Sequence, residues 1–220
     1  MDIRTGGPGG RDTDGGMHMK EFTPITITLE KPVTYCDEEF SELTLDFSGL
    51  TGKDDLDIRS RMEKELGRMP VALEGNTEYA SRVAARAAKI DPDVFDVIGA
   101  SDMLYILDVV DDYLDTCSFQ DKVLTGAGED LKVDFDALTG KDVLDAERAC
   151  GAARTDKKAD VPFLSALAAK AAGMTPAAVK ELPLCDHAAL ILLARNFLIV
   201  SAFKNRLRKT QRVSGQTKTR

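Results

Sequence analysis

Along the chain the spacing of apolar residues switches from two to nearly four, and then does so again. Ile25, Ile27 and Leu29 alternate with Thr26, Thr28 and Glu30, the pattern of a half-buried strand that Pro32 would end. Leu43, Leu45 and Phe47 alternate likewise, with residues 36–39 as the turn, so the two predict a hairpin. At Thr51 the period lengthens. Thr51 with Asp54 makes a T-x-x-D helix start, and Asp55 and Asp57 favour the positive end of a helix that runs to about Leu66 and closes near Gly67 and Pro70.

Two alanine-rich segments, residues 78–89 and 161–172, predict helices whose small side chains permit close contact. Each is followed by a capping residue and a proline, Asp91-Pro92 and Thr175-Pro176, opening short helices to about Ile98 and Leu182. In residues 101–117, Met103, Leu104, Ile106, Leu107, Val110 and Leu114 share one broad side, leaving Asp108, Asp111, Asp112 and Asp115 toward water. Residues 187–203 are apolar nearly all the way round, through Leu190, Ile191, Leu192, Leu193, Phe197, Leu198, Ile199 and Val200. Such a helix needs burial on nearly all sides, against its own unit and a neighbour: the first unit or another subunit.

The two series are copies. LTLDFSGLTGKDDLD at residues 43–57 returns as LKVDFDALTGKDVLD at residues 131–145, with ten of fifteen positions identical at a constant spacing of 88. YASRVAARAAKIDP at residues 79–92 matches FLSALAAKAAGMTP at residues 163–176, now 84 apart, and carries Asp102 onto Asp186 and Tyr113 onto Phe197. The expectation is a mainly α fold with a small N-terminal β-hairpin, built as two tandem homologous helical units. Their expected bounds are a leader or tag at 1–20, a first unit at 21–118, a glycine-bearing linker at 119–129, a second unit at 130–203 and a basic tail at 204–220. The second unit lacks an evident counterpart of the first strand, unless Val123 and Leu124 make a vestigial one.

Charge separates the copies. Residues 21–127 carry net −13, residues 128–203 net −2 and residues 204–220 net +7. An acidic body argues against a nucleic-acid role, which needs a basic surface. No apolar run approaches the 18 or so residues of a membrane span, and the opening MDIRTGGPGGRDTDGGMHMK has no apolar centre for a signal peptide, so the reading is soluble and cytoplasmic.

Candidate chemistry is sparse. Cys36, Cys117, Cys150 and Cys185 show no paired spacing, and Cys150 aligns with Met62 and Cys185 with Ser101; they read as free thiols of a reducing compartment. Asp54, Asp55 and Asp57 lack the glycine and distal glutamate of a calcium loop and read as helix-start acids. His187 aligns with Met103 and reads as a satisfied or surface histidine. There is no GxGxxG, P-loop, HExxH or nucleophile elbow, so no catalytic, cofactor or metal residue is assigned. Two charged segments remain as partner-binding candidates: the stripe Asp108, Asp111, Asp112 and Asp115, and the tail residues Lys204, Arg206, Arg208 and Lys209.

ITITLEKPV at residues 25–33, SELTLDFSGLTGKDDLD at 41–57 and SDMLYILDVVDDYL at 101–114, in that order, resemble the tail assembly chaperones of tailed bacteriophages and prophages. The resemblance covers residues 25–114 and reaches the second unit only through the repeat; members of that family are typically single units. It implies a non-enzymatic protein of the bacterial host cytoplasm, with no cofactor. It further implies that the protein coats the long apolar tape-measure protein and keeps it soluble until tail-tube subunits polymerise around it. The tail-tube protein and self-association are further expected contacts. The other reading is a non-phage scaffold or regulatory protein with two related binding units.

Overall fold

The computed structural model describes residues 22–67, 76–150 and 160–216, without the side chains of 205–216. The leader expected at residues 1–20 lies outside the described residues. Among the described residues, seven α-helices and two small antiparallel sheets make a mainly α fold with a minor β part, as the periodicities indicate.

Strands β1 (Ile25–Tyr35) and β2 (Glu38–Leu45) pair antiparallel, with Ile27 opposite Leu43 and Tyr35 opposite Glu38. Cys36 and Asp37 both adopt positive φ, which makes the two-residue turn that matches strand twist. Pro32 does not end β1. The pairing register shifts between Thr28 and Val33, so the proline, which has no N–H for the ladder, sits in an irregularity and the strand continues to Tyr35. Ile27, Leu29, Leu43 and Leu45 are buried, and Ile25 is exposed.

Helix α1 (Gly52–Leu66) starts at Thr51, whose amide donates to the Asp54 carboxylate over 3.0 Å, and ends at Gly67 in the left-handed region. Helix α2 (Thr77–Ala88) follows, then a 3-10 turn at Pro92–Asp96, then α3 (Ala100–Leu114). The second copy repeats the order. Strands β4 (Val123–Thr125) and β5 (Leu131–Lys132) precede α4 (Gly140–Ala149), α5 (Val161–Ala171), the short α6 (Pro176–Lys180) and α7 (Leu184–Gln216). The Thr139 amide donates to Asp142 and the Asp142 amide to the Thr139 hydroxyl, so the TGKD device caps both α1 and α4.

Residues 119–129, read from their glycines as a linker, are folded. Strand β3 (Ser118–Gln120) forms a hairpin with β4 across Asp121 and Lys122, both at positive φ, and β4 pairs with β5. Leu124 and Ala127 are buried. Leu124 faces Leu131 as Ile27 faces Leu43, which makes Val123 and Leu124 the remnant of the first strand.

An aspartate in the last helix of each copy fastens this first strand. The Glu30 amide donates to both carboxylate oxygens of Asp102 over 3.1 Å, and the amides of Ala127 and Gly128 donate to Asp186 over 2.9 and 2.8 Å. Counting from the facing leucine and isoleucine, Ala127 is the positional equivalent of Glu30. The paired Asp102 and Asp186 therefore carry the same anchoring bond in both copies, beside the negative charge that a helix N-terminus favours.

Backbone bonds join the copies where their capping loops meet. The Gly52 amide donates to the Leu182 carbonyl over 2.9 Å, and the Leu184 amide to the Leu50 carbonyl over 3.0 Å. Lys53 pairs with Glu181 beside them. The first core accordingly includes Leu184 and Cys185 from the second copy. Helix α7 packs on α1, α3 and α5, so it is buried by its own copy and by the first. Residues Leu184–Lys204 of this helix are long and apolar enough to cross a membrane by length and composition, which corrects the expectation that no stretch is. Its first turns, however, place Asp186 and His187 in buried hydrogen bonds, as a core helix does.

Candidate functional site

The largest concentration of buried polar groups lies at the junction of α1, α2, α5 and α7. Asp55 is at its centre and has no solvent exposure. One carboxylate oxygen accepts from Arg59 Nε at 2.6 Å and from the Tyr79 hydroxyl at 2.6 Å; the other lies 2.7 Å from His187 Nδ1. His187 Nε2 lies 3.1 Å from the Ser165 hydroxyl. All five side chains are buried.

Burial alone would push the Asp55 carboxyl up, but the Arg59 charge and the contacts of His187 prevail and hold it well below the usual carboxylate range. An ionised carboxylate only accepts, so His187 Nδ1–H donates to it, and Nε2 faces the Ser165 hydroxyl. Burial and then the Asp55 charge push the Tyr79 phenol well above its ordinary value, keeping it a donor. The Arg59 guanidinium also lies 5.2 Å from the Tyr79 ring centroid. Gly52 completes the enclosure, because a Cβ there would stand 2.7 Å from the imidazole.

Ser165, His187 and Asp55 make the contact sequence of a nucleophile, base and acid, and a cleft of about 400 Å³ lined by Leu56, Arg59, Ser60, Cys150, Ser165 and Lys180 opens beside them. The surroundings suit a latch better than a relay. Ser165 sits in mid-α5, where backbone amides are spent on helix bonds and leave no donor for a developing oxyanion. The Asp55 charge is already matched by Arg59. What the network does is tie α1 and α2 of one copy to α5 and α7 of the other, with every central oxygen and nitrogen partnered.

Sequence reasoning read Asp55 as a helix-start acid and His187 as a satisfied histidine; it did not connect them across 132 residues. A signal was present. Asp55 aligns with Val143, His187 with Met103 and Tyr79 with Phe163, and Arg59 with Glu147, so three polar groups stand opposite apolar counterparts and the fourth opposite a residue of reversed charge. Asp54, Asp55 and Asp57 do not converge: Asp54 serves the cap, Asp55 the network, and Asp57 pairs with Arg61 and Arg86. The cleft of about 750 Å³ between α1 and α2 is lined by Arg61, Arg82 and Arg86, whose charges Asp57, Glu65, Glu78 and Asp54 already match.

The partner-binding candidates lie on two helices. On α3 and at its C-cap, Asp108, Asp112 and Asp115 are exposed and Asp111 is half-buried. Partial burial, then its neighbours Asp115, Asp108 and Asp112, push the Asp111 carboxyl up, the mark of an unneutralised face. Leu104 and Tyr105, 64% and 55% exposed, continue that face. On α7, Lys204 is exposed; Arg206, Arg208 and Lys209 belong to the helix, with side chains outside the described ones. Sequence reasoning missed the stripe just before them: Leu192, Ile199, Val200 and Phe203 face outward at spacings of seven, eight and eleven residues, one side of a helix. Comparisons with protein families, curated proteins and solved structures give no match.

Proposed function

We propose that the protein is a non-enzymatic binding protein of phage or prophage tail assembly, a chaperone that covers the apolar helical tape-measure protein in the host cytoplasm until the tail tube forms. The observation that carries this reading is the outward apolar stripe of α7, with Phe203 61% exposed, leading directly into basic sequence. Exposed apolar rows on a helix are the means by which one amphipathic helix holds another. The outward face of α3, Leu104 and Tyr105 followed by Asp108, Asp112 and Asp115, offers a second, acidic-rimmed contact. Two such faces on one chain gain by effective concentration on a long, repetitive partner, and net −8 favours solubility of the complex.

The test is co-expression with a long, predominantly apolar helical protein encoded next to this gene. Soluble co-purification is expected, and it is expected to fall at least about tenfold when Ile199 and Phe203 become glutamate, at about 1.4 kcal/mol per tenfold. An insoluble partner in the presence of the wild-type chain, or no such neighbouring gene, overturns the reading and leaves the scaffold with two binding units in its place.

A further inference from the structure

A second polar cluster lies where the end of α3, the loop after β4 and the start of α7 meet. The Cys117 thiol stands 2.9 Å from an Asp186 carboxylate oxygen, the Cys185 thiol stands 3.6 Å from the same oxygen, and all three atoms lie within 4.8 Å of one another. Gly126 and Gly128 wrap the cluster. A Cβ at Gly126 would stand 2.0 Å from Asp186 Oδ1 and 2.8 Å from Cys117 Sγ, and one at Gly128 3.0 Å from Asp186 Oδ2. The loop thus leaves room around these atoms that no larger residue would.

The first copy shows what the anchoring role alone requires. Asp102 receives the Glu30 amide with no thiol beside it, and the counterpart of Cys185 is Ser101, which donates to the Glu30 side chain over 3.0 Å. The two thiols are an addition to that anchor. They come from positions 68 residues apart and converge on one oxygen.

We propose that Cys117, Cys185 and Asp186 form a binding site for a soft divalent cation of the zinc class. Thiolate and carboxylate are the donors such an ion takes, and its tetrahedral shell places them about 3.5 to 3.8 Å apart, from bond lengths of about 2.3 Å to sulfur and 2.0 to 2.2 Å to oxygen. The Cys185 to carboxylate distance of 3.6 Å matches that arrangement, and the 2.9 Å from Cys117, a hydrogen-bonding distance, has to open by about 0.6 Å when the ion replaces the thiol proton. Charge also balances: two thiols lose two protons and one dication enters, so binding leaves the net charge of the buried cluster unchanged. The amides of Ala127 and Gly128 hold the carboxylate in place as outer partners while a lone pair of Oδ1, facing the Cys117 thiol, is released to the ion. Cys117 is only partly buried, which gives the ion an entry side and a solvent oxygen as fourth donor.

The test uses the full reduced chain with zinc and with cobalt as a spectroscopic probe. One zinc per chain is expected, with two protons released in calorimetry repeated in buffers of different ionisation enthalpy, and a near-ultraviolet thiolate-to-cobalt band. C117S, at the partly exposed position, is expected to weaken zinc by more than the roughly 10- to 100-fold that loss of an outer partner costs. C185S is expected to do the same, with circular dichroism reporting that it has folded, and C36S and C150S to leave affinity unchanged. Absence of binding by the folded wild type, binding without proton release, or unaltered affinity in C117S overturns the proposal.

Discussion

The two copies share their strand, cap and helix order and even the aspartate that fastens the first strand, yet one junction between them is polar where the repeat would make it apolar. In α4, Val143 stands where α1 has Asp55; in α3, Met103 stands where α7 has His187. The Asp55–His187 contact, with Arg59, Tyr79 and Ser165 behind it, is made where α7 of one copy docks on α1 of the other. A buried network is weak evidence for net stability, since apolar replacements are often as good, but it penalises a wrong docking by leaving the second Asp55 oxygen without its His187 partner.

Turning Asp55 and His187 back into their counterparts in the other copy, and removing the Arg59 charge with them, is the strongest way to break the comparison. Asp55→Val alone leaves Arg59 buried without its partner and is expected to cost about 3 to 5 kcal/mol in denaturant unfolding. Asp55→Val, Arg59→Met and His187→Met together are expected to recover most of that loss, to within about 1 kcal/mol of wild type. A triple variant no better than the single one would show that the network supplies net stability and not only choice of partner. The same residue sets a pH dependence. The folded pKa of Asp55 lies below its unfolded value, so its contribution is complete above the unfolded pKa near 4 and is lost as pH falls from there. Midpoints measured from pH 7 to pH 2 should show that loss in the wild type and a smaller one in Asp55→Asn.

The paired anchors give the next effect. Asp186→Ala strips partners from two amides, buried at Ala127 and partly buried at Gly128, whereas Asp102→Ala frees only that of Glu30. Each orphaned buried donor costs about 1 to 3 kcal/mol, so Asp186→Ala should be the more destabilising in parallel melts. Equal losses would mean that the loop around Asp186 relaxes to water.

The shared TGKD motif provides the most discriminating pair. At Gly52 a methyl group would strike the His187 ring, while at Gly140 nothing lies within 4 Å. Gly52→Ala is expected to cost about 1 to 3 kcal/mol; Gly140→Ala should gain up to about 1 kcal/mol from helix propensity. The smallest effect is expected on the α7 stripe, where Phe203→Glu should change stability by less than about 0.5 kcal/mol while it alters partner binding.

The sequence carried the helices, their caps and the doubling because those depend on local spacing: Thr51 with Asp54, Asp91 with Pro92, and the alternation at Leu43, Leu45 and Phe47 are each readable within a few residues. It also carried the remnant strand at Val123 and Leu124, through the repeat. It misjudged Pro32, because the strand absorbs it in a register shift that depends on where β2 pairs. The folded state of residues 119–129 was hidden because the glycines there serve close approach to Asp186 and Cys117, not freedom of movement. The polar junction was out of reach of periodicity, since Asp55 and His187 meet only through the docking of helices far apart in the chain.

That separation has a consequence for how the chain comes to be made. Asp55 and Arg59 are synthesised together and can pair at once as neighbours on a helical turn, but His187 and the core residues Leu184 and Cys185 follow some 130 residues later. At about 5 to 20 residues per second, the first copy waits on the order of ten seconds with its core unsealed and its acidic centre short of a partner. Through that interval the apolar surface that Leu184 and Cys185 cover stays open, and the closure of the first core waits for α7.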